Sequence, residues 1–385
     1  MIAKLILDKK REGKALGSAE IREFVEGFTR GEIPDYQMSA LAMAICCRGM
    51  TARETADLTE AMMNSGRTLA WDVPTADKHS TGGVGDKLSL VIQPLAAACG
   101  VGVPSLTGRG LGITGGTADK LETIPGYSCA QPLGRFQEIV KTVGVSMAVQ
   151  TDEITPADKK LYALRDVTGT VASIPLIVAS ILSKKLAEGA GTLVFDVKAG
   201  RGAFMKTVEE AKELATALVA GAKAAGRKAA ALVTDMDAPL GIAVGNVNEV
   251  QEARVILECG GVEGAVDPCL RPIVGLCVEF AATMVALALD KPLDEADPIE
   301  QSYCLEVCSP GVERDLKRDE HFLKFIGAPI MVKLIRARDG VREFKGTLAS
   351  YDSGNFELRL EDGTGLMINK KETSYVKLDD FGGEE

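Results

Sequence analysis

Residues 78–100 read KHSTGGVGDKLSLVIQPLAAACG, a glycine-rich loop followed directly by a long apolar run. The first ten positions hold three glycines, two hydroxyls, two lysines and one of the chain's two histidines. Glycine lets backbone N–H groups approach a ligand closely, while hydroxyls and a lysine add donors and positive charge. The stretch therefore predicts an anion-binding loop, and by itself it leaves open a nucleotide, a diphosphate and free phosphate.

The same combination of apolar runs and glycine-rich loops continues through residues 69–285. Short apolar runs alternate there with glycine-rich loops and helical stretches, as in VGVPSLTGRG (101–110), GTLVFDVKAG (191–200) and KAAALVTDM (228–236). Such alternation predicts an α/β domain with a mainly parallel sheet covered by helices. Ligands of these sheets bind at the carboxyl ends of the strands, where the glycine loops lie.

Residues 1–68 read as a helical lobe, into which residues of about 160–190 are expected to pack. Apolar residues with helical spacing are Ile21, Phe24, Val25 and Phe28. Thr51 and Glu54 form a T-x-x-E capping box that opens a helix predicted to end near Gly66. The small residues of SALAMAICC (39–47) let helices approach closely, so this region is also a candidate dimer face.

Residues 316–385 differ from the rest because apolar and polar residues alternate there with a period of two. The alternating segments are separated by Asp339-Gly340, Ser353-Gly354-Asn355 and Asp362-Gly363, which is hairpin chemistry. This predicts a small all-β module of the barrel type. Residues 286–315, with the proline- and acid-rich LDKPLDEADPIE (289–300), read as a junction.

Composition excludes several classes of function. The 385-residue chain is 46% hydrophobic, with net charge −10 and pI about 5.1, which disfavours nucleic-acid binding through a diffuse basic surface. Its nine cysteines form no CxxC pair and mostly fall in apolar runs, which predicts reduced, buried thiols and argues against zinc. Without a signal peptide or an expected membrane-spanning run, the predicted location is cytoplasmic.

Two further segments resemble the first in kind. TGRGLGITGGT (107–117) contains a GxGxxG, but it lies deep in the chain, and KHSTGGVGDK lacks the GK-[ST] of a P-loop, so both nucleotide readings are weak. In LRDVTGTVASIPLIVASILSKKLAEG (164–189), Ser180 and Lys184 share one helix face and Arg165 lies in the approach to that helix. The alternative is that Lys184 and Lys185 only offset the helix dipole.

Taken in series, these motifs resemble the thymidine and pyrimidine-nucleoside phosphorylases. KHSTGGVGDK, GRGLGITGGTADKLE, LYALRDVTGTVASIPLIVASILSKKLAEG, DVKAGRGAFM and PLGIAVGN occur in that family's order and spacing over roughly residues 1–285. The resemblance implies a helical lobe with a nucleoside phosphorylase type II domain, a fold shared with anthranilate phosphoribosyltransferases. It also implies that inorganic phosphate is the anion, as a co-substrate, with no organic cofactor.

The resemblance implies a role for each matching residue. Implied phosphate ligands are Lys78, Ser80, Ser89, Thr107 and Thr117. Implied base-binding residues are His79, Arg165, Ser180 and Lys184, with His79, Arg165 and Lys184 catalytic. A monovalent cation is implied at Gly85, Leu240, Ala243 and Glu252. Bland alternatives remain: Ser89 as a strand residue, Thr117 as a helix cap, and Asp86, Asp119 and Glu122 as loop and cap acids.

The chain also departs from the family. Ile113 stands where histidine is usual, Arg201 where serine is usual, and Thr107 replaces a serine but keeps the hydroxyl. Arg201 is expected either to add an anion contact or to crowd the loop. From about residue 294 to 381, beginning with YCLEVCSPGVERDL (303–316), the chain resembles the ribosome maturation factor RimP, with Cys308 in place of a serine. This implies a fusion of a truncated phosphorylase domain with an SH3-like barrel, and a recombined reading frame is one hypothesis for its origin.

The leading functional hypothesis is phosphorolysis of thymidine or a related pyrimidine nucleoside to the free base and the sugar 1-phosphate, by a homodimer formed through the helical lobe. One alternative is a RimP-like module that contacts a ribosomal protein, with an inactive enzyme part. Another is an anthranilate-type phosphoribosyltransferase, for which the sequence offers no convincing acidic pair to hold magnesium.

Overall fold

The structure is a computed structural model that describes residues 3–110, 115–259, 267–289, 304–306, 316, 319–338, 341–360 and 363–378. Ile113, Cys308 and much of the predicted junction lie outside these ranges. The chain forms two compact units, Met1–Ser309 and Pro310–Glu385.

The first unit begins with a helical lobe, as the sequence predicts. Its helices are α1 (Ala3–Arg11), α2 (Ser18–Arg30), α3 (Asp35–Arg48) and α4 (Ala52–Met63), joined later in the chain by α8 (Pro156–Thr168) and α9 (Ile174–Ala187). The predicted apolar face of α2 is buried, and Leu161 and Leu176 of the later helices enter the same core. The Thr51–Glu54 capping box is present, although α4 ends at Met63, three residues before Gly66.

The α/β part follows as strands that alternate with helices. They are β1 (Ala76–Ser80), α5 (Leu88–Ala98), β2 (Val103–Leu106), α6 (Thr117–Leu121), α7 (Leu133–Val143), β3 (Val145–Ala148), β4 (Thr192–Ala199), α10 (Val208–Ala224), β5 (Lys228–Asp235), α11 (Asn246–Glu258), a 3₁₀ turn Pro268–Leu270, α12 (Arg271–Ala288) and β6 (Cys304–Glu306). Strands β1, β4, β5 and β6 form a parallel sheet in the order β1-β4-β5-β6, and β2 pairs in parallel with β3. The α/β fold class is thus confirmed.

Burial explains why these strands form. All eight residues of β4 are buried, as expected for a parallel strand covered by helices on both faces. The strand nevertheless carries Asp196 and Lys198, both inaccessible to solvent. A central strand that keeps two buried charges marks the place where the sheet serves a purpose other than packing.

The segment expected to be a junction contributes to the sheet. Strand β6 pairs in parallel with β5 in the register Ala231–Cys304, Leu232–Leu305 and Val233–Glu306. The four-stranded sheet therefore takes one edge strand from the part of the chain that resembles RimP.

Helix α12 corrects one expectation. Residues Pro268–Ala288 are long and apolar enough to cross a membrane, with mean hydropathy 1.7, so the expectation that no run reaches that length is wrong. The helix packs one face into the α/β core, where Phe280 and Met284 are fully buried. Inside the fold 39% of this apolar stretch is buried, so packing into the core accounts for part of its apolar character.

The cysteines correct another expectation. Among the described residues Cys129 and Cys277 are buried, but Cys47, Cys99 and Cys269 are exposed, so the prediction of buried thiols holds only in part. Cys47 and Cys99 lie at the C-terminal ends of α3 and α5, where the apolar run continues beyond the residues that the core covers.

The second unit is the small barrel-like module predicted from the period-two pattern. Its elements are α13 (Asp319–Lys324), β7 (Pro329–Arg338), β8 (Val341–Asp352), β9 (Asn355–Arg359), β10 (Gly365–Asn369), a 3₁₀ turn Lys370–Glu372 and β11 (Thr373–Leu378), with antiparallel strand order β10-β9-β8-β7-β11. Ser353 and Gly354 both have positive φ (46° and 91°), as a two-residue hairpin turn requires.

Candidate functional site

A cavity lies at the carboxyl ends of the parallel strands. Strand β1 ends at Ser80 and β2 at Leu106, and the glycine loops that follow them form two of the cavity walls. Predicted site residues that line the cavity are Lys78, His79, Ser80, Ser89, Thr107, Thr117, Arg165 and Ser180. The fold therefore brings together side chains that lie up to about a hundred residues apart in the chain.

Lys78 dominates the charge on the sheet side of the cavity. Its ammonium group lies 2.8 Å from the Asp196 carboxylate and 3.5 Å from the Ser89 hydroxyl. Burial opposes the lysine's charge, but the carboxylates of Asp196 and Asp86 outweigh burial and raise its pKa. Lys78 is thus a permanent cation whose position is fixed by β4.

Ser89 lies in the first turn of α5, although one alternative placed it in a strand. A helix N-terminus favours anions because its backbone N–H groups are unpaired and its dipole is positive there. The Ser89 hydroxyl therefore adds a donor at a place where the backbone already attracts negative charge.

The first glycine loop is held by its own aspartate. The Ser80 hydroxyl donates to the Asp86 carboxylate, which also accepts from the backbone N–H of Leu88 at 3.3 Å. Gly82 and Gly85 have φ of 86° and 74°, a conformation that glycine adopts without strain. These contacts agree with the interpretation of Asp86 as a loop acid.

The second glycine loop is held in the same way by Asp119. Its carboxylate accepts from the backbone N–H groups of Gly110 (2.6 Å) and Gly116 (3.1 Å), while Arg109 pairs with it at 3.1 Å. A Cβ on Gly116 would lie 2.3 Å from the backbone of Arg109, so only glycine fits there. Thr117 is the first residue of α6 and faces the cavity from the end of this loop.

His79 is neutral in this environment. Burial, aided by the charges of Lys185, Lys184 and Lys78, holds its pKa well below the usual value for histidine. A neutral imidazole offers one N–H donor and one acceptor nitrogen. His79 can therefore hydrogen-bond a polar ring edge without adding charge.

Arg165 is fixed by backbone carbonyl groups. Its guanidinium donates to Thr170 (3.1 Å), Leu176 (3.0 Å) and Val171 (2.7 Å). These bonds orient the planar group from behind and join α8 to the start of α9. A guanidinium has five N–H donors, so further donors remain for a ligand.

Lys184 lies one contact behind the cavity wall. Its ammonium group donates to the Ser180 hydroxyl (2.9 Å), to the Ser180 carbonyl and to the Asp158 carboxylate (2.6 Å). Burial is the main cause that lowers its pKa, and the positive charges of Lys185 and Arg165 act in the same direction. The side chain that faces the cavity from this turn is Ser180.

The neighbouring Lys185 supports the second loop instead. Its ammonium group donates to Asp77, to the Leu106 carbonyl (2.7 Å) and to Glu188 (3.1 Å), and the backbone N–H of Leu106 donates to Glu188 (2.8 Å). Burial and the charge of Asp77 raise the pKa of Glu188 well above the usual value. The two lysines thus lie in the last turn of α9, as the helix-dipole interpretation predicts. Each is also buried in an ion pair, Lys184 with Asp158 and Lys185 with Asp77.

The four residues implied as cation ligands form a separate cluster beside the first loop. The Glu252 carboxylate accepts from the backbone N–H groups of Ile242 (3.0 Å) and Ala243 (2.7 Å). A Cβ on Gly85 would lie 3.2 Å from the Leu240 carbonyl oxygen, so these two backbone segments touch. The ammonium group of Lys87 lies in this cluster, 2.7 Å from Glu252.

Several lining residues carry a signal in the sequence, helical spacing from a predicted site residue, but were not among the predicted site residues. Gln93 follows Ser89 by four residues on α5, donates to Ser105 at 2.8 Å and lines the cavity. Tyr162 precedes Arg165 by three residues on α8 and also lines it. Arg201, by contrast, neither adds to nor crowds the cavity: its side chain is 87% exposed and lies 3.6 Å from Asp237.

Comparison with known proteins identifies the family. The α/β domain of the glycosyl transferase family matches residues 72–288, and that family's helical bundle domain matches residues 4–66. The chain belongs to this family. The two matched regions correspond to the α/β domain and the helical lobe predicted from the sequence.

Members of the family with established names are close to this chain. It is 52% identical to the pyrimidine-nucleoside phosphorylase of Geobacillus stearothermophilus, over 97% of this chain and 89% of that protein. It is 54% identical to the pyrimidine-nucleoside phosphorylase of Bacillus subtilis (83% and 71% covered) and 50% identical to the thymidine phosphorylase of Agrobacterium fabrum (86% and 73%). The resemblance stated from the motifs is confirmed.

Two other matches concern the fold and the end of the chain. Anthranilate phosphoribosyltransferase from Thermus thermophilus superposes with a TM-score of 0.56 at 21% identity, covering 76% of this chain and 91% of that one, which supports a shared fold. The RimP N-terminal domain matches residues 281–313. This match confirms the RimP-like segment. It begins at residue 281, inside α12, and so earlier than the predicted start at about residue 294.

Proposed function

We propose that the protein catalyses phosphorolysis of pyrimidine nucleosides, thymidine or a close relative, to the free base and the sugar 1-phosphate. The observation that carries this proposal is the single cavity in which a lysine and hydroxyls from two glycine loops face His79, Arg165 and Ser180. The names of the close relatives in the family support the same reaction.

In the proposed reaction an oxygen of inorganic phosphate forms a bond to the anomeric carbon while the glycosidic C–N bond breaks. The electron pair of that bond leaves with the pyrimidine, and the sugar carries positive charge in the transition state. Lys78, Ser80, Ser89, Thr107 and Thr117 are the proposed phosphate ligands. Charge-assisted hydrogen bonds from such donors hold phosphate in line with the bond that breaks.

The other half of the cavity is proposed to bind the base. Negative charge that develops on the departing ring is stabilised by Arg165, whose guanidinium is already oriented by three carbonyl groups. Neutral His79 donates to or accepts from the ring edge. The Ser180 hydroxyl contacts the base while Lys184 behind it holds that hydroxyl in place and contributes positive charge.

The deciding experiment is release of thymine from thymidine by the full-length protein, with and without phosphate, followed by the ultraviolet difference between nucleoside and base. We expect release that requires phosphate and yields sugar 1-phosphate in equal amount. Uridine is measured in parallel to establish preference. A folded, monodisperse protein that releases no base from either nucleoside would refute the proposal.

We further propose a cytoplasmic homodimer that forms through the helical lobe. Exposed apolar side chains on this lobe include Leu5, Tyr36 and Met43, with 62%, 73% and 43% of their surface accessible. Seven cysteines of the described residues are free thiols, which suits a reducing compartment: Cys46, Cys47, Cys99, Cys129, Cys259, Cys269 and Cys277. Sedimentation of the wild type against Tyr36→Lys tests the interface, and an unchanged monomer-to-dimer ratio would contradict it.

A second proposed function concerns the part of the chain that matches RimP, most of which precedes the barrel-like unit. The RimP match at residues 281–313 favours a role in which the C-terminal part of the chain contacts a ribosomal protein. The test is whether the full chain is retained on immobilised proteins of the small ribosomal subunit. Phosphorolysis by the retained protein is measured in the same fraction. Absence of retention at physiological salt would refute this contact.

A further inference from the structure

The side chain of Lys87 reaches from the end of the first glycine loop into the PLGIAVGN loop. Its ammonium group donates to the carbonyl oxygen of Ala243 and to the carboxylate of Glu252, at 2.7 Å for the latter. The lysine side chain is completely buried and that of Glu252 is 4% exposed. A buried charge in such a place requires a matched partner, and Glu252 supplies it.

The Glu252 carboxylate is also held by backbone contacts that do not involve Lys87. Two backbone N–H groups, those of Ile242 and Ala243, donate to its two oxygens. The backbone of Gly241 lies against it so closely that a Cβ there would be 2.1 Å from the carboxylate. The acceptors around this point, a carbonyl and a carboxylate oxygen, are the oxygen ligands that a hard monovalent cation takes.

We infer that the ammonium group of Lys87 is itself the cation of this site, so that the protein binds no potassium or sodium ion there. Two of the four residues implied as ion ligands, Ala243 and Glu252, already contact the ammonium group. A metal ion at contact distance from the same oxygens would lie beside a like charge in a buried place, which is strongly unfavourable. The residues present therefore do not fit the ion that the family resemblance implies.

The attached cation has a positioning role. Lys87 joins the loop that holds Ser80 and Asp86 to helix α11, which carries Glu252. The neighbouring Lys120 makes a second link, from the Asp86 carbonyl to Glu249 at 2.8 Å. Because Asp86 holds the Ser80 hydroxyl, Lys87 acts on the proposed phosphate site through the shape of the loop.

The test compares potassium chloride with choline chloride at equal ionic strength. For the wild type we expect the same melting temperature and the same phosphate KM in both salts at every concentration. A saturable rise in wild-type melting temperature with potassium alone would overturn the inference. The thermal measurement does not depend on the reaction, whereas the KM measurement rests on the proposed function, so failure of one is distinguishable from failure of the other.

Two variants sharpen the test. Lys87→Met removes the charge and keeps the length, and we expect a melting temperature about 6–10 °C lower in both salts. Lys87→Ser leaves space for an ion, and we expect potassium, but not choline, to restore melting temperature and phosphate KM in a saturable way. Lys159→Ser is the matched control, since its exposed ammonium group only pairs with Asp152 at 2.9 Å. Variants that keep the wild-type melting temperature and phosphate KM in choline chloride would also overturn the inference.

Discussion

Replacing Lys184 by methionine separates a structural from a chemical role at the base side of the cavity. The ammonium group and the Asp158 carboxylate are 2.6 Å apart and nearly inaccessible. At an effective dielectric constant of about 20, Coulomb attraction at that separation amounts to about 6 kcal/mol, before the cost of desolvation. Removal of one partner of a buried pair typically costs about 3–5 kcal/mol because it strands the other charge.

We therefore expect Lys184→Met to lower the free energy of unfolding by about 3–5 kcal/mol in urea titrations. The double variant Lys184→Met with Asp158→Asn should recover most of that loss, since the buried negative charge is gone and Gln150, which donates to Asp158 at 2.9 Å, keeps an acceptor. Phosphorolysis should fall by about 10²–10³ in kcat in both variants, because stabilisation of the departing pyrimidine anion is lost in both.

The result that refutes this reasoning is recovery of activity together with stability. A double variant with wild-type kcat would show that Lys184 matters only as the partner of Asp158. Asp158→Asn alone is the comparison variant: it keeps the lysine nitrogen and its bonds to Ser180 but removes the charge that opposes burial in setting the pKa of Lys184, so we expect a loss of stability and a kcat between those of the wild type and Lys184→Met.

Two further predictions concern the lobe and the second glycine loop. The Glu54 carboxylate accepts hydrogen bonds from the backbone N–H of Leu16 and the ammonium group of Lys10; burial opposes its charge, but these bonds lower its pKa from 4.5 to about 2. About 3 kcal/mol of stability is therefore present above pH 4.5 and is lost as the pH falls toward 2. Acid unfolding monitored by circular dichroism should show this loss in the wild type, and an equal loss in Glu54→Gln would contradict the prediction. Gly116→Ala should raise the phosphate KM at least tenfold, because the added methyl group would collide with the backbone of Arg109. The control is Gly134→Ala on α7, where a Cβ meets nothing within 4 Å; it should leave the KM unchanged and stabilise the fold by about 0.5–1 kcal/mol. Equal KM values in the two variants would refute the collision.

Much of the architecture was accessible from local pattern. Helical spacing and the Thr51–Glu54 capping box predict α2 and α4, and period-two alternation with Ser353-Gly354 predicts the β8–β9 hairpin. These signals are local because hydrogen bonds and apolar faces within an element depend on residues a few positions apart. Where the apolar run continued past the core, as at Cys47 and Cys99, the same signals overstated burial.

The candidate site was accessible in part. The composition of the glycine loops predicts a binding role for them. Gln93 and Tyr162 have only a helical spacing from predicted site residues, and ordinary core residues show the same spacing. The pairing of strand β6 with β5 could not be anticipated, because the place of a three-residue edge strand depends on the neighbour it pairs with rather than on its own composition.

The sequence alone determined the kinds of group available: three glycine-rich or basic motifs, an α/β pattern, a helical lobe and a β module, each from contacts within short stretches of chain. Tertiary structure decided which acid each buried lysine meets. Lys78 pairs with Asp196, Lys184 with Asp158 and Lys87 with Glu252, across 118, 26 and 165 positions of chain. Such pairs form because a buried charge must be neutralised where the fold places it, and only the packed chain brings the partner within reach.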